Sequence, residues 1–235
     1  MIAGDTAGVM FETKVTNVSK LSSGWQVTVH SGALINSKAL IITAPVPQAL
    51  ELLRASDIAI DSEILLTIER LTFRRCIAVV MRELDSFAAS KKYSWPTLWK
   101  DPSVELDGIF DQKRKGISNS QNIVVVHTSK SLTEQLWSME PDLIKRSVEQ
   151  VVNPIVSSEQ EKVQWEAIHL HKWRYSEPES IHPEKCLLID VDGPLVLAGD
   201  AFGRSSVDGA FSSGHAAATL LLDKISNVIP LRDSP

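Results

Sequence analysis

Asp200 follows Gly199 at the end of a continuously apolar run, Leu195-Val196-Leu197-Ala198. A short loop later, Val207-Asp208-Gly209-Ala210 opens a helical pattern. A carboxylate at the mouth of a buried strand can accept hydrogen bonds from ligand hydroxyls, as acids near nucleotide-binding turns do. A helix start adds unsatisfied N–H groups and a positive pole, worth about 0.3–1 kcal/mol to an anion at an exposed site. Gly209, Ala210, Ser212, Ser213 and Gly214 are small and let a bulky planar group approach the backbone. Strand, loop and helix together suit one polyhydroxylated, anionic ligand and read as half of a nucleotide-cofactor site. Two structural readings stand beside this one. Asp200 equally suits a turn or a helix cap. The small residues, followed by Ala216-Ala217-Ala218, equally suit close helix packing.

The other reactive residue types point to less. Cys76 lies in an apolar run and Cys186 is remote from it; neither has a metal-ligand spacing or a CxxC partner, and Cys76 reads as a small buried hydrophobe. His169 and His171 would share one strand face, with no third ligand at a recognisable spacing for zinc. Asp208 and Glu177 qualify as acids by charge alone, with capping or surface roles as the competing account, so no general acid or base is assigned. The formal net charge is −5, and Arg74-Arg75 and Lys113-Arg114-Lys115 are short runs, which argues against a basic nucleic-acid-binding face. No apolar stretch is long enough to span a bilayer. Met1 to Asp5 lacks the basic and apolar regions of a signal peptide, so a soluble, cytoplasmic protein is the expectation.

These groups need elements to hold them. Val9–Val18 and Trp25–His30 flank a Ser22-Ser23-Gly24 turn and predict a hairpin, with a further turn at Ser31-Gly32. Leu40–Ala44 predicts a strand covered on both faces, and Pro47 suits the first turn of a helix through Leu53. Asp57–Leu71 carries a weak helical pattern. Strand-like runs at Thr72–Arg82, Tyr93–Trp99, Val104–Asp111 and Asn122–Thr128 predict an antiparallel sheet. Ser131–Met139 and Asp142–Val152 predict two helices, the second opened by Pro141 and burying Leu143, Val148, Val151 and Val152 on one face. Val163–Trp173 reads as a strand and Ser176–Pro183 as a loop. Leu187–Asp190 and Leu195–Ala198 read as short strands joined at Asp192-Gly193, before a long helix from about Val207 to Ile225. The whole is a mixed α and β architecture whose middle block looks inserted into another layer.

The terminal unit resembles the C-terminal flavin-binding segment of the FAD-dependent amine oxidase superfamily, its renalase-like branch in particular. The resemblance runs on through Glu12–Val18, Gly24–Val27, Ile41–Leu53 and His171–Ser176, in the family's order, and so covers nearly the whole chain. It implies FAD as cofactor, with Val15 meeting the adenine and Thr43, Ala44 and Pro45 passing close to the dinucleotide. Gly199 and Asp200 would contact the ribityl and pyrophosphate region. Val207, Asp208, Gly209 and Ala210 would supply the helix start beside the flavin pyrimidine ring. Trp173 and Tyr175 would lie on the substrate side, with core packing or strand-end anchoring as the alternative for each. The implied fold is an α/β (α+β) chain: residues 1–55 and 185–235 as part of an FAD-binding domain of GxGxxG type, with 56–184 as an inserted antiparallel-sheet substrate domain.

The family's opening strand, GxGxxG turn and helix have no counterpart here, since Ala3-Gly4-Asp5-Thr6-Ala7-Gly8 has the wrong spacing. The expectation is therefore a truncated form that binds FAD weakly or not at all by itself. It would also leave an apolar sheet edge open to pairing with another chain. Two functions follow. One is a flavin oxidoreductase that takes a hydride from a reduced nicotinamide dinucleotide (a dihydropyridine) or an amine and passes electrons to oxygen. The other is a catalytically inactive fragment that acts as a binding or interaction module.

Overall fold

A computed structural model describes residues 8–84, 98–101, 104–118, 122–156, 164–190 and 193–228. The chain divides into two compact units: Met1–Thr72 with Glu177–Pro235, and Phe73–Ser176.

The first unit begins with the predicted hairpin. β1 (Val15–Leu21) and β2 (Gly24–Val29) are antiparallel, and Leu21 faces Gly24 across the Ser22-Ser23 turn. Gly24 has φ +116°, and a Cβ there would stand 2.2 Å from the Ser37 carbonyl oxygen, so conformation and space both require glycine. β3 (Leu34–Ser37), which no sequence pattern announced, pairs antiparallel with β2. It is exposed along most of its length and so lacks the alternation that marks a half-buried strand. Trp25 is buried, and its indole N–H donates to the Gly193 carbonyl at 3.0 Å.

A second sheet has the order β10-β11-β4, from β10 (Leu187–Asp190), β11 (Leu195–Leu197) and β4 (Leu40–Ile42). β11 runs antiparallel to β10 and parallel to β4. The expectation for β4 needs correction. It ends at Ile42, Thr43 and Ala44 are exposed, and Ile41 is 38% exposed because β4 is an edge strand among the described residues. Helix α1 (Val46–Ala55) follows, with Pro45 at its N-cap and Pro47 in its first turn. Helix α2 (Ser62–Glu69) is capped by Asp61, whose carboxylate accepts from the Glu63 and Ile64 N–H groups. The last helix, α5 (Val207–Val228), buries Ala217 and Leu221 against Val196 and Ala198.

The second unit is a five-stranded sheet of order β6-β7-β8-β5-β9. Its strands are β5 (Phe73–Glu83), β6 (Leu98–Trp99), β7 (Leu106–Asp111), β8 (Ile123–Thr128) and β9 (Trp165–Pro178). The β5–β8, β6–β7 and β7–β8 pairs are antiparallel, as expected. Residues 93–97 of the predicted Tyr93–Trp99 run lie outside the described residues. Helices α3 (Lys130–Leu136) and α4 (Pro141–Val156) pack on this sheet. The buried row of α4 is Ile144, Val148 and Val152, against Ile77, Val79 and Met81 of β5, with Val151 partly buried. Leu143, expected on that face, is 47% exposed instead: one position earlier than Ile144, it is rotated by about 100° out of the row. Asn153 and Glu149 of α4 accept the backbone N–H groups of Trp165 and Ala167 at 2.9 and 2.7 Å.

The units change at 72/73 and 176/177, whereas the sequence divided at 55/56 and 184/185. Arg54 pairs with Glu69, which ties α2 to α1. The Ser180 hydroxyl donates to the Arg70 carbonyl at 2.5 Å and accepts the Thr72 N–H at 2.8 Å. β9 accordingly runs on to Pro178, through the start of the predicted loop. Cys76 is buried and Cys186 half-buried; both are free thiols, and burial pushes both above the ordinary thiol range. No helix among the described residues is long and apolar enough to cross a membrane.

The α4 face generates a paired prediction. Ile144→Ala should cost about 2–5 kcal/mol, whereas Leu143→Ala should stay within about 0.5 kcal/mol. Urea unfolding followed by tryptophan fluorescence measures both, and equal losses would refute the assigned face.

Candidate functional site

β11 delivers the chain to Gly199, where the backbone turns with φ +147°. A Cβ at this point would meet only the Thr43 carbonyl oxygen, at 3.8 Å, so the glycine is there for conformation and not for lack of room. The Phe202 N–H donates to the Gly199 carbonyl at 3.2 Å and closes a turn that carries Asp200. His182 fixes the middle of the loop: its N–H donates to the Ala201 carbonyl, and its carbonyl accepts the Gly203 N–H, both at 2.8 Å. Ser206 ends the loop as the cap of α5, its hydroxyl accepting the Gly209 N–H at 2.9 Å and its carbonyl the Ala210 N–H at 2.9 Å.

The helix start is held close to this loop. A Cβ on Gly209 would fall 2.0 Å from the Arg204 carbonyl oxygen, so only glycine fits. Gly209, Ser213, Ala217 and Leu221 are buried and recur every fourth residue, forming one inward row. That row is the close packing weighed for the small residues. On the outward side, Val207 is 90% and Phe211 75% exposed.

Burial holds the Asp200 carboxyl above its usual range. The N–H groups of Asp200 and Ala201 pull it back down, and the charge of Glu177 raises it. Asp208, in the first turn of α5, is exposed.

The predicted cofactor residues separate into groups. Thr43 comes beside Gly199, because the Ala198 N–H donates to the Ile42 carbonyl at 3.1 Å and aligns the two strand ends. Ala44 and Pro45 follow directly, the first exposed and the second capping α1. Gly199, Asp200, Val207, Asp208, Gly209 and Ala210 share the loop and helix start. Val15 belongs to the other sheet, half-buried opposite Val29. Trp173 and Tyr175 belong to the second unit. Trp173 is 51% exposed with its ring 4.4 Å from that of His171, and Tyr175 meets Phe73 edge-on at 6.0 Å. Among the described residues no acidic, histidine or cysteine cluster is arranged to hold a metal.

Sequence reasoning missed the parts that hold this loop: Ser206, His182 and the hydroxyl of Ser213, a residue read only for its small size. Ser206 carried a signal, a serine directly before a helical pattern. Ser213 and His182 act through tertiary contacts that have no local pattern.

The family profile described as flavin containing amine oxidoreductase matches residues 4–222. No curated protein matches the chain by sequence. Among solved structures, a protein described as a protoporphyrinogen oxidase of Exiguobacterium sp. 255-15 superposes with a TM-score of 0.60 at 14% identity, covering 90% of this chain and 47% of that one. Wild-type putrescine oxidase bound to putrescine gives 0.61 at 13% identity, covering 89% and 48%. The chain thus spans about half the length of these structures, and at such identities the likeness is one of fold.

The cofactor assigned by the family is FAD. The residues present fit it. Open space above Gly199, a carboxyl beside it and the start of a 22-residue helix suit hydroxyls and negative charge, while exposed Val207 and Phe211 suit a planar apolar ring system.

Asp200 makes the ligand-free protein pH-sensitive. Its folded pKa lies above the unfolded value, so its contribution to stability is complete below about pH 3.9 and is lost as pH rises through the folded pKa. Asp200→Asn is neutral throughout and should melt higher than wild type near neutrality, with the gain vanishing below about pH 3.9. Melting curves across that range test this; a difference independent of pH would refute it.

Proposed function

The chain belongs to the flavin-containing amine oxidoreductases; from that membership we propose that it is an FAD-dependent oxidoreductase or the flavin-facing portion of one. The observation that carries this reading is the Gly199-Asp200 turn beside the Ser206-capped start of α5. FAD, when bound, supplies hydride acceptance from a reduced dihydropyridine or an amine and the passage of electrons to oxygen. The protein's share is binding, orientation and electrostatics. Asp200 would accept hydrogen bonds from cofactor hydroxyls. Its raised pKa favours that role, since a donor brought to a partly buried carboxylate replaces the water it has lost. The start of α5 would stabilise negative charge beside it. Thr43, Ala44 and Pro45 would border the dinucleotide, with Val15 towards the adenine. Trp173 and Tyr175 remain proposed for the substrate side, and residues 56–184 for substrate binding.

Titration of the purified chain with FAD, read by flavin fluorescence and absorbance, tests this. Saturable, weak binding is expected, and Asp200→Ala should lower the affinity roughly tenfold or more, the scale of a lost hydrogen bond to a charged group. Absence of saturable binding by the wild type would overturn the reading, and an unchanged affinity in the variant would remove Asp200 from the site.

A further inference from the structure

Ser213 is buried, yet its hydroxyl accepts the Gly199 N–H at 2.9 Å. This bond joins the second residue beyond β11 to the second turn of α5, fourteen positions along the chain. Gly199 has no side chain to restrain it and space around it, so its backbone has wide freedom unless something holds it. The Gly199 carbonyl accepts from Phe202 and thereby shapes the turn that presents Asp200. What fixes the Gly199 peptide therefore fixes Asp200 relative to the helix start.

We propose that Ser213 is the positioning residue of the cofactor site: it locks the Gly199 hinge so that the Asp200 carboxyl and the N-terminus of α5 act as one preorganised unit, without itself touching the ligand. Its neighbours in the inward row sharpen the assignment. Gly209 and Ala217 lie one turn to either side and have no side-chain hydrogen-bonding group. Ser213 alone in that row can satisfy the Gly199 N–H, which would otherwise be a donor shut off beside a buried helix face.

The inference rests on the flavin reading for its ligand but not for its geometry, and the test separates the two. Hydrogen exchange of the Gly199 amide is measured in the ligand-free 235-residue chain, and FAD affinity is measured by fluorescence titration. In Ser213→Ala the Gly199 amide should lose protection roughly tenfold or more, and FAD affinity should fall by a similar factor, the scale of one buried hydrogen bond. Ser213→Cys, which keeps a weak acceptor in nearly the same volume, should restore part of both and serves if the alanine variant folds poorly. Ala217→Gly loosens the same helix without touching Gly199 and should lower the melting temperature while sparing both readouts. Wild-type protection of Gly199 in Ser213→Ala and Ser213→Cys overturns the inference, as does equal loss in Ala217→Gly. Failure of the wild type to bind FAD, with Gly199 protection lost as expected, overturns the flavin reading and leaves the hinge lock standing.

Discussion

The first unit depends on the burial of a three-residue strand. Leu195, Val196 and Leu197 are shut off from solvent, paired on one side with β10 and on the other with β4. Each such side chain contributes about 1.5–3 kcal/mol when fully buried. Distant segments fix its position. Leu40 donates to the Pro194 carbonyl, Trp25 reaches the Gly193 carbonyl from the hairpin, and Lys20 pairs with Asp190 at 2.5 Å. The Gly199-Asp200 turn and the start of α5 follow where this strand ends, so an error in its register would displace Gly199, Asp200 and the helix together.

The inward row of α5 shows how the strand and helix come to share a site. The row starts at Gly209, passes through the small residues Ser213 and Ala217, and ends at the large Leu221. The smallest residue sits where the loop backbone passes closest, and the largest where the helix lies over the sheet's apolar face. Size sets the approach and a single hydroxyl sets the register. The second unit relies instead on aliphatic packing between α4 and β5, and on polar side chains of α4 that occupy N–H groups of β9.

How much was legible in advance follows from the range of each interaction. The β1–β2 hairpin showed itself because its turn residues and its alternation are local. The start of α1 showed itself because proline has few places to go. β3 did not, since Leu34-Ile35-Asn36-Ser37 is short and exposed and has no alternation of apolar and polar residues. Leu143 was placed inward because it is apolar, whereas the four-residue repeat from Ile144 decides the face. Of the candidate site, Gly199, Asp200 and the helix start were readable from types and spacing. The clamps from His182 and Ser213 were not, because they join residues far apart in sequence. The family likeness, carried by order and spacing, supplied FAD as the cofactor; hydrophobic pattern alone supplied only an anionic, hydroxyl-rich ligand.

The two thiols have a use that neither was read for. Cys76 belongs to the second unit and Cys186 to the first. Burial keeps both protonated more than a free cysteine would be, so neither is quick to react in the closed state. Alkylation of buried Cys76 must wait for its surroundings to open, whereas half-buried Cys186, directly before β10, answers to smaller movements. The chain therefore carries one built-in reporter of local opening per unit, and their separate labelling rates distinguish independent breathing from a single cooperative transition.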